Sequence, residues 1–521
     1  MRDVLLALSL ANLLFLRGWE KFRFGGFLND LKPDGPSVAI LVVMTALFLW
    51  IAWQLAKRSR KLAAAAQFTF LVLLLIPVNA LRLYFDQAFT ALYGPKYRWL
   101  FWVILALLLL PIIIAFVKRR FSFRFLLRYG MVMILALAPF VLFTVGGVLW
   151  DSYRAYRAAP ASAVTSPPSA TKAKQRVVFI VFDELDHGMA FRLRPSTLSL
   201  PEFDRLRSES LWGAEAYPPG GQTGQSVPAL LNGVKVATQR PLTETRMAIS
   251  KEGNSNPEIW SRDMTIFAET SGAGIKTALA GVYFPYCAIL GNTVNDCRDF
   301  RTFRRRANLS TRLKEAGESA LDAVPFLYRL WLKQTKRRDE IYQYQYTVQQ
   351  ASHLAADQSF DFVYIHLPIP HPPPIYDRRA GQFAETGEHS YIDNLALADR
   401  ALGEVRRAME QSGAWENTNV IVTSDHWWRT WLWRSAPFWS AESAAIAAHY
   451  DPDHNVPFMV KLASSHDASV YQRAFNTVVT RKLIMTMLRE GIATNAELSH
   501  WLDQNATAPI EPLIGEEKGS W

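Results

Sequence analysis

Four stretches of this chain are apolar and about as long as a bilayer is thick: about 38–56, 62–81, 99–117 and 129–150. Each is near the ~20 residues a helix needs to cross a hydrocarbon core. Inside lipid every backbone polar group must bond within its own segment, so isolated runs of this kind have to be helices. A shorter run, Val4 to Leu16, admits two readings, a first span or a signal-peptide core. The span is preferred, because no small-residue cleavage site follows and Arg17-Gly18-Trp19-Glu20 suits an interface. Residues 1–150 are therefore expected to form a bundle of about five transmembrane helices.

The charge balance of +11 would ordinarily suggest nucleic acid. Residues 1–150 carry 17 Lys+Arg against 5 Asp+Glu, whereas the remainder carries 40 against 41. The basic excess thus belongs to the membrane part, and no nucleic acid is expected as a partner. Lys57, Arg58, Arg60 and Lys61 share one short loop, and Lys118, Arg119, Arg120, Arg124 and Arg128 lie in the loop two spans later. Cationic loops stay cytoplasmic, so the last span exits on the far side. The loop 17–36 runs against this with four basic residues, although Glu20, Asp30 and Asp34 accompany them. Residues 151–175 are rich in Ala, Pro and Ser and read as a linker. Residues 176–521 follow as one large extracytoplasmic domain, anchored in the inner (plasma) membrane. The two cysteines, Cys287 and Cys297, lie in this part, where an oxidising compartment favours a local disulfide.

Within 176–521, Val177 to Phe182 is a continuous apolar run that ends in Asp183-Glu184. Phe362 to Ile365 ends in His366, Asn419 to Ser424 ends in Asp425-His426, and Val456 to Val460 is a fourth short run. Such runs read as parallel strands buried on both faces. Helical spacing between them, as in Leu395, Leu402 and Val405, implies an α/β domain with a mostly parallel sheet. Chemistry in such sheets collects at the carboxyl ends of the strands. Two carboxylates and an imidazole, Asp183, Asp425 and His426, suit zinc, with manganese the alternative, and leave a position open for substrate. The stretch Pro218 to Pro228 places a hydroxyl on a glycine-rich turn, and Ala229-Leu230-Leu231 begins a helix whose amides favour an anion. A hydroxyl is a weak nucleophile until a base or a bound dication activates it.

The order of these motifs resembles the alkaline phosphatase/sulfatase superfamily: strand then acid, Gly221-x-Thr223-x-x-Ser226-Val227-Pro228, His366-x-x-x-x-His371-Pro372, Ser424-Asp425-His426 and His454-x-Val456-Pro457. The likeness is strongest to membrane-bound phosphoethanolamine transferases and lipoteichoic acid synthase relatives. It covers nearly the whole chain in architecture and about 177–232 and 360–461 in motif. The resemblance implies an α/β/α catalytic domain and places Thr223 as nucleophile, with Ser226 the alternative hydroxyl. It makes Asp183, Asp425 and His426 metal ligands, with Glu184 a further acidic ligand or a spare. It sets His371 and His454 near the transferred group. His366 matches a histidine often seen before His371, with a purely structural role equally open. Tyr391, Asn394 and Asp399 resemble a helix that packs or orients.

Two departures stand out. The family continues Asp-His-Gly, whereas here Asp-His runs into Trp427-Trp428-Arg429. The cysteine motif that yields formylglycine in true sulfatases is missing, which argues against ordinary sulfate ester hydrolysis. Trp427, Trp428, Trp431, Trp433 and Trp439 crowd one segment with Arg429 and Arg434, which suits either lipid headgroups or an aromatic core. The expected function is metal-dependent transfer of a phospho-headgroup from a phospholipid to an envelope glycan or lipid through phospho-threonine. A phosphodiester or sulfate ester hydrolase on the same site and a non-catalytic envelope-assembly factor are the alternatives.

Overall fold

The apolar stretches form helices. Four are long and apolar enough to cross a membrane: Gly35–Ala56, Arg60–Tyr84, Trp99–Val117 and Phe123–Val148. Large apolar side chains such as Phe48, Leu107, Phe116 and Leu142 are exposed along them. That is how lipid-facing helices look, and it is rare on a soluble surface. The structure, a computed structural model, describes residues 1–24, 35–89, 95–119, 122–157, 173–243, 246–254, 256–300, 309–321, 323–324, 333–435, 438–463 and 465–513.

The expected first span is not among the four. Its helix, Arg2–Leu14, has 13 residues. At 1.5 Å per residue it reaches about 20 Å, short of the ~30 Å core. A turn at Phe15 ends it, and the next helix, Leu16–Phe24, carries the buried Arg17–Glu20 ion pair. Among the described residues four helices are thus long and apolar enough to cross a membrane, with the short helix packed among them through Leu10, Ala11 and Leu13. The last helix runs on to Arg157, so the expected linker begins inside a helix; residues 158–172 lie outside the described residues.

The chain divides into two compact units. One is Met1–Ala163 with Ala307–Leu332; the other is Val164–Arg306 with Lys333–Trp521. The helix Leu309–Leu321 therefore belongs with the N-terminal helices, which its sequence position does not announce. Ala316 is buried there among Ala11, Trp19, Val38, Val42 and Val148. The Asn79 side-chain amide donates to the Ala323 carbonyl at 2.8 Å.

The second unit is built on an eight-stranded sheet. In chain order its strands are β1 (Arg176–Asp183), β2 (Leu211–Gly213), β3 (Thr277–Gly281), β4 (Asp296–Asp299), β5 (Phe362–Pro370), β6 (Thr418–Ser424), β7 (Phe458–Lys461) and β8 (Ser469–Tyr471). Their order across the sheet is β8-β2-β7-β6-β1-β5-β3-β4. β1 pairs in parallel with both β6 and β5, and only β7 runs antiparallel to its neighbours. Residues 177–182 of β1 are buried on both faces, as their unbroken apolar run requires. Val178, Ile180 and Phe182 belong to a core completed by the helices Lys333–Ala356 and Tyr391–Gln411. Cys287 and Cys297 form the expected disulfide.

Candidate active site

The central strands set the site by register. Phe182 lies opposite Ser424, so Asp183 and Asp425 leave neighbouring parallel strands at the same edge. Ser424 locks that edge: its hydroxyl donates to the Phe182 and His426 carbonyls, both at 2.9 Å, and accepts from the Leu185 amide at 2.7 Å. Asp183, Asp425 and His426 each offer a buried ligand atom, all within 4.8 Å of one another. His426 Nε2 lies 3.4 Å from Asp183 Oδ1 and 3.5 Å from Asp425 Oδ2.

Thr223 completes the group. It is the first residue of the helix Thr223–Asn232, which begins six residues earlier than the sequence suggests. Its Oγ1 is 3.4 Å from Asp183 Oδ1 and 3.3 Å from His426 Nε2. The rival hydroxyl is committed elsewhere: Ser226 Oγ donates to the Gly220 carbonyl at 2.8 Å and accepts from the Gly220 amide at 3.1 Å, closing the turn. The Gln239 side chain packs closely on Gly224, where a Cβ would meet it at 2.7 Å and push it aside. A hydroxyl thus sits at a helix N-terminus, where backbone amides and the helix dipole favour an anion.

Electrostatics single out the same residues. Burial would raise the Asp183 carboxyl, but His371, His426 and His366 around it overcome that and hold it well below the usual carboxylate range. Burial and the nearby Arg429 disfavour a charged His426, yet Asp425 and Asp183 outweigh them and its pKa lies above the ordinary value. Asp425 Oδ1 accepts from the Glu184 and His426 amides at 3.0 and 2.8 Å, while its Oδ2 is buried with no hydrogen-bond partner. A buried carboxylate oxygen left bare beside another carboxylate suits a cation ligand. Two carboxylates, one imidazole and a hydroxyl form a donor set that a divalent cation accepts.

The other expected residues fall out differently. Glu184 does not join the ligand group. Its backbone turns into the left-handed region at φ 73°, and its buried carboxylate points to the next loop, accepting from the Arg429 amide at 2.7 Å and Trp433 Nε1 at 3.2 Å. His371 stands beside Asp183, its amide donating to the Asp183 carbonyl at 3.1 Å. His366 is fully buried; its Nδ1 meets Tyr286 Oη at 2.8 Å and its Nε2 has no partner. Burial lowers its pKa despite Asp425 and Asp183 nearby. His454, at φ 59°, lays its ring on Trp427 with centroids 4.2 Å apart. Tyr391 Oη donates to the Glu184 carbonyl at 2.8 Å, and Asn394 Nδ2, with two N–H, lies 3.0–3.2 Å from the carbonyls of Pro370, His371 and Pro373.

The tryptophan segment is an aromatic core more than a lipid contact. Trp427, Trp428 and Trp433 are buried, and only Trp431, 41% exposed, is open. Trp428 stacks on Tyr391 at 4.6 Å and packs against Tyr450 at 5.0 Å. Asp186, which sequence reasoning passed over, anchors this loop: its Oδ2 accepts from Tyr450 Oη at 2.5 Å and the Trp428 amide at 3.3 Å. The signal was present in the spacing of Asp183, Glu184 and Asp186 after one buried strand.

Residues 175–479 match the family model for sulfatases. No curated relative matches the chain. Among solved structures, the fold is similar to Ps i-CgsB, with 15% identity over 63% of this chain and 74% of that one and a TM-score of 0.41. It is similar to an alkaline phosphatase superfamily protein from Vibrio parahaemolyticus, with 12% identity over 63% and 72% and a TM-score of 0.38. A phosphonate monoester hydrolase from Silicibacter pomeroyi gives 13% identity over 63% and 77%, with a TM-score of 0.37. With the family match spanning more than half of its length, this chain, four long apolar helices followed by an α/β enzyme domain, belongs to the sulfatase family.

Proposed function

We propose that the protein transfers a phospho-headgroup from a phospholipid to an envelope glycan or lipid, with Thr223 as the nucleophile. The observation that carries this is the Thr223 hydroxyl at a helix N-terminus, 3.4 Å from Asp183 and 3.3 Å from His426. Asp183, Asp425, His426 and Thr223 would hold a divalent cation, zinc by donor preference with manganese the alternative. Bound there, such a cation supplies positive charge that favours the ionised hydroxyl and polarises the group under attack.

Thr223 Oγ1 attacks phosphorus, the phosphorus–oxygen bond to diacylglycerol breaks, and the threonine proton passes to the leaving diacylglycerol oxygen. The acceptor hydroxyl then attacks the phosphorus of phospho-threonine, the phosphorus–Oγ1 bond breaks, and the acceptor's proton returns to Thr223 Oγ1. The helix amides bear part of the charge that develops on the oxygens, and His371 stands beside Asp183.

Headgroup transfer is favoured over formylglycine-type sulfate hydrolysis because the nucleophile position holds threonine, and both cysteines are joined to each other. Hydrolysis, with water as acceptor, is the second reading, supported by the family match. Membrane anchoring favours a lipid donor. The proposed site of action is the extracytoplasmic face of the inner membrane, with the sequence after residue 175 forming the catalytic domain.

The test is mass spectrometry of lipids and glycans from cells with the wild type and with Thr223→Ala, together with peptide mapping for phospho-Thr223. The variant should fold, show no turnover and lack the modified peptide. Wild-type activity in Thr223→Ala refutes the assignment, and diacylglycerol release without any modified acceptor turns it to hydrolysis.

A further inference from the structure

The turn that delivers Thr223 is soft by composition. Residues 218–222 read Pro-Pro-Gly-Gly-Gln, and two glycines in succession leave a backbone many conformations unless neighbours hold it. Ser226 holds it from one side, through Gly220. Residues 509–513 hold it from another. The Gly221 amide donates to the Leu513 carbonyl at 3.1 Å, the Leu513 amide donates to the Pro219 carbonyl at 3.0 Å, and Gly220 and Leu513 form a parallel bridge. Asn476, itself buried, joins the two segments with its side-chain amide, donating to the Pro218 carbonyl at 2.9 Å and to the Ile510 carbonyl at 3.0 Å.

Lys235 fastens the same segment at a second point. It lies just beyond Gly233, which ends the helix Thr223–Asn232 in the left-handed region at φ 73°. The lysine is buried, and its ammonium donates to the carbonyls of Glu511, at 2.6 Å, and of Pro509. An ammonium gives up strong hydration on burial, and these two carbonyls replace it with short, charge-assisted bonds. Residues 509–513 therefore form a strap tied at both ends of the helix that Thr223 begins.

We propose that this strap is a positioning element for Thr223 and that Lys235 is the positioning residue that anchors it, so that together they fix the turn 218–221 and the place of the Thr223 hydroxyl beside Asp183 and His426. This deepens the function proposed above and rests on Thr223 belonging to the reaction centre. The first residue of a helix has no preceding turn to hold it, so its placement depends on what fixes the chain before it. The margin is narrow: Thr223 Oγ1 stands 3.4 Å from Asp183 Oδ1 and 3.3 Å from His426 Nε2, and a displacement of about 1 Å at a reacting group costs on the order of a hundred-fold in rate. Asp183, Asp425 and His426 are placed by the register of β1 and β6, so freeing the strap moves the hydroxyl and leaves those three where they are.

The test uses the full-length protein in detergent, stripped of metal and titrated with zinc. Lys235→Met keeps the length of the side chain and removes its donors, whereas Leu513→Pro removes one amide from the strap. Each should lower zinc affinity about ten-fold, the low end of the range for residues that orient metal ligands. Lys235→Arg should recover most of that loss. Added to Thr223→Ala, Lys235→Met should change zinc affinity by less than about two-fold, because its effect passes through the hydroxyl already removed. Hydrogen exchange read by mass spectrometry should quicken about ten-fold at residues 219–226 and stay unchanged at 177–182 and 419–424. Wild-type zinc affinity in both Lys235→Met and Leu513→Pro, a full further loss on top of Thr223→Ala, faster exchange in the central strands as well, or no zinc binding by the wild type overturns the proposal. Turnover separates it from the function itself. Activity that survives Thr223→Ala removes the reaction proposed above, whereas the strap is decided by zinc affinity and exchange alone.

Discussion

Stripping the cation from the Asp183–Asp425–His426 group should loosen the α/β unit by an amount the geometry sets. The ligand atoms of the two carboxylates lie within 4.8 Å of each other in a fully buried site. Two negative charges at that separation repel by about 3.5 kcal/mol at an effective dielectric constant of about 20. A bound dication cancels this repulsion, so the metal-free protein should be less stable by about that much. The same stabilisation arises by mass action when free metal exceeds its Kd by several hundred-fold. For a domain of about 350 residues with the usual unfolding entropy per residue, 3.5 kcal/mol moves the thermal midpoint by about 5 °C. Tryptophan fluorescence is a suited readout, because Trp427, Trp428 and Trp433 are buried in the loop that follows His426. A chelator should therefore lower the wild-type midpoint by about 5 °C, and added zinc should restore it. Asp425→Asn removes one of the repelling charges and the bare Oδ2, so its midpoint should respond to chelator by less than about 1 °C. A wild-type midpoint that stays put after elemental analysis shows the metal gone refutes the reasoning. So does an Asp425→Asn variant that responds in full.

Trp433→Ala should cost about 3–5 kcal/mol from the cavity, while Trp433→Phe should cost about 1–3 kcal/mol by leaving Glu184 Oε2 without its donor; chemical unfolding measures both. Replacing Cys287 and Cys297 with serine opens a loop of ten residues and should lower stability by about 3 kcal/mol, a drop in thermal midpoint of about 4 °C. Burial lifts the Asp399 carboxyl to about 7, although its Oδ1 accepts from the Phe203 amide at 2.8 Å. An acid raised on folding stabilises in its protonated form, so the contribution is complete below about pH 4 and is lost as pH climbs through 7. Asp399→Asn should flatten that slope in a midpoint-against-pH series and exceed the wild type at about pH 8; an unchanged slope sinks the assignment.

What sequence reveals here depends on whether a residue's role is set by its own segment. The strand Arg176–Asp183 was readable because burial on both faces leaves an unbroken apolar run, and register then carries Asp183 to the same edge as Asp425. The choice of Thr223 over Ser226 needed the turn, since only the structure shows Ser226 closing on Gly220. The helix start at Thr223 was hidden by glycines and a proline that argue against helix.

Glu184 shows the harder limit. Its direction follows from a left-handed backbone at φ 73°, a conformation nothing in a glutamate advertises. Had it kept the extended backbone of β1, side-chain alternation would have sent it to the sheet face opposite Asp183; the turn sends it to Arg429 and Trp433 instead. The tryptophan segment fails for the same reason. Its composition fits a headgroup layer and an aromatic core equally well, because both need rings with one polar edge. What decides between them is what the rings meet in the fold: Trp433 Nε1 donates to Glu184 and Trp428 stacks on Tyr391, residues far away along the chain. The helix Leu309–Leu321 inverts the case. Lys314 and Glu318 give it a soluble look, and Ala316 buries against Trp19 and Val38 because a small residue admits close approach. In each instance the local pattern was sound, and the side chain's meaning came from a contact that only the folded chain supplies.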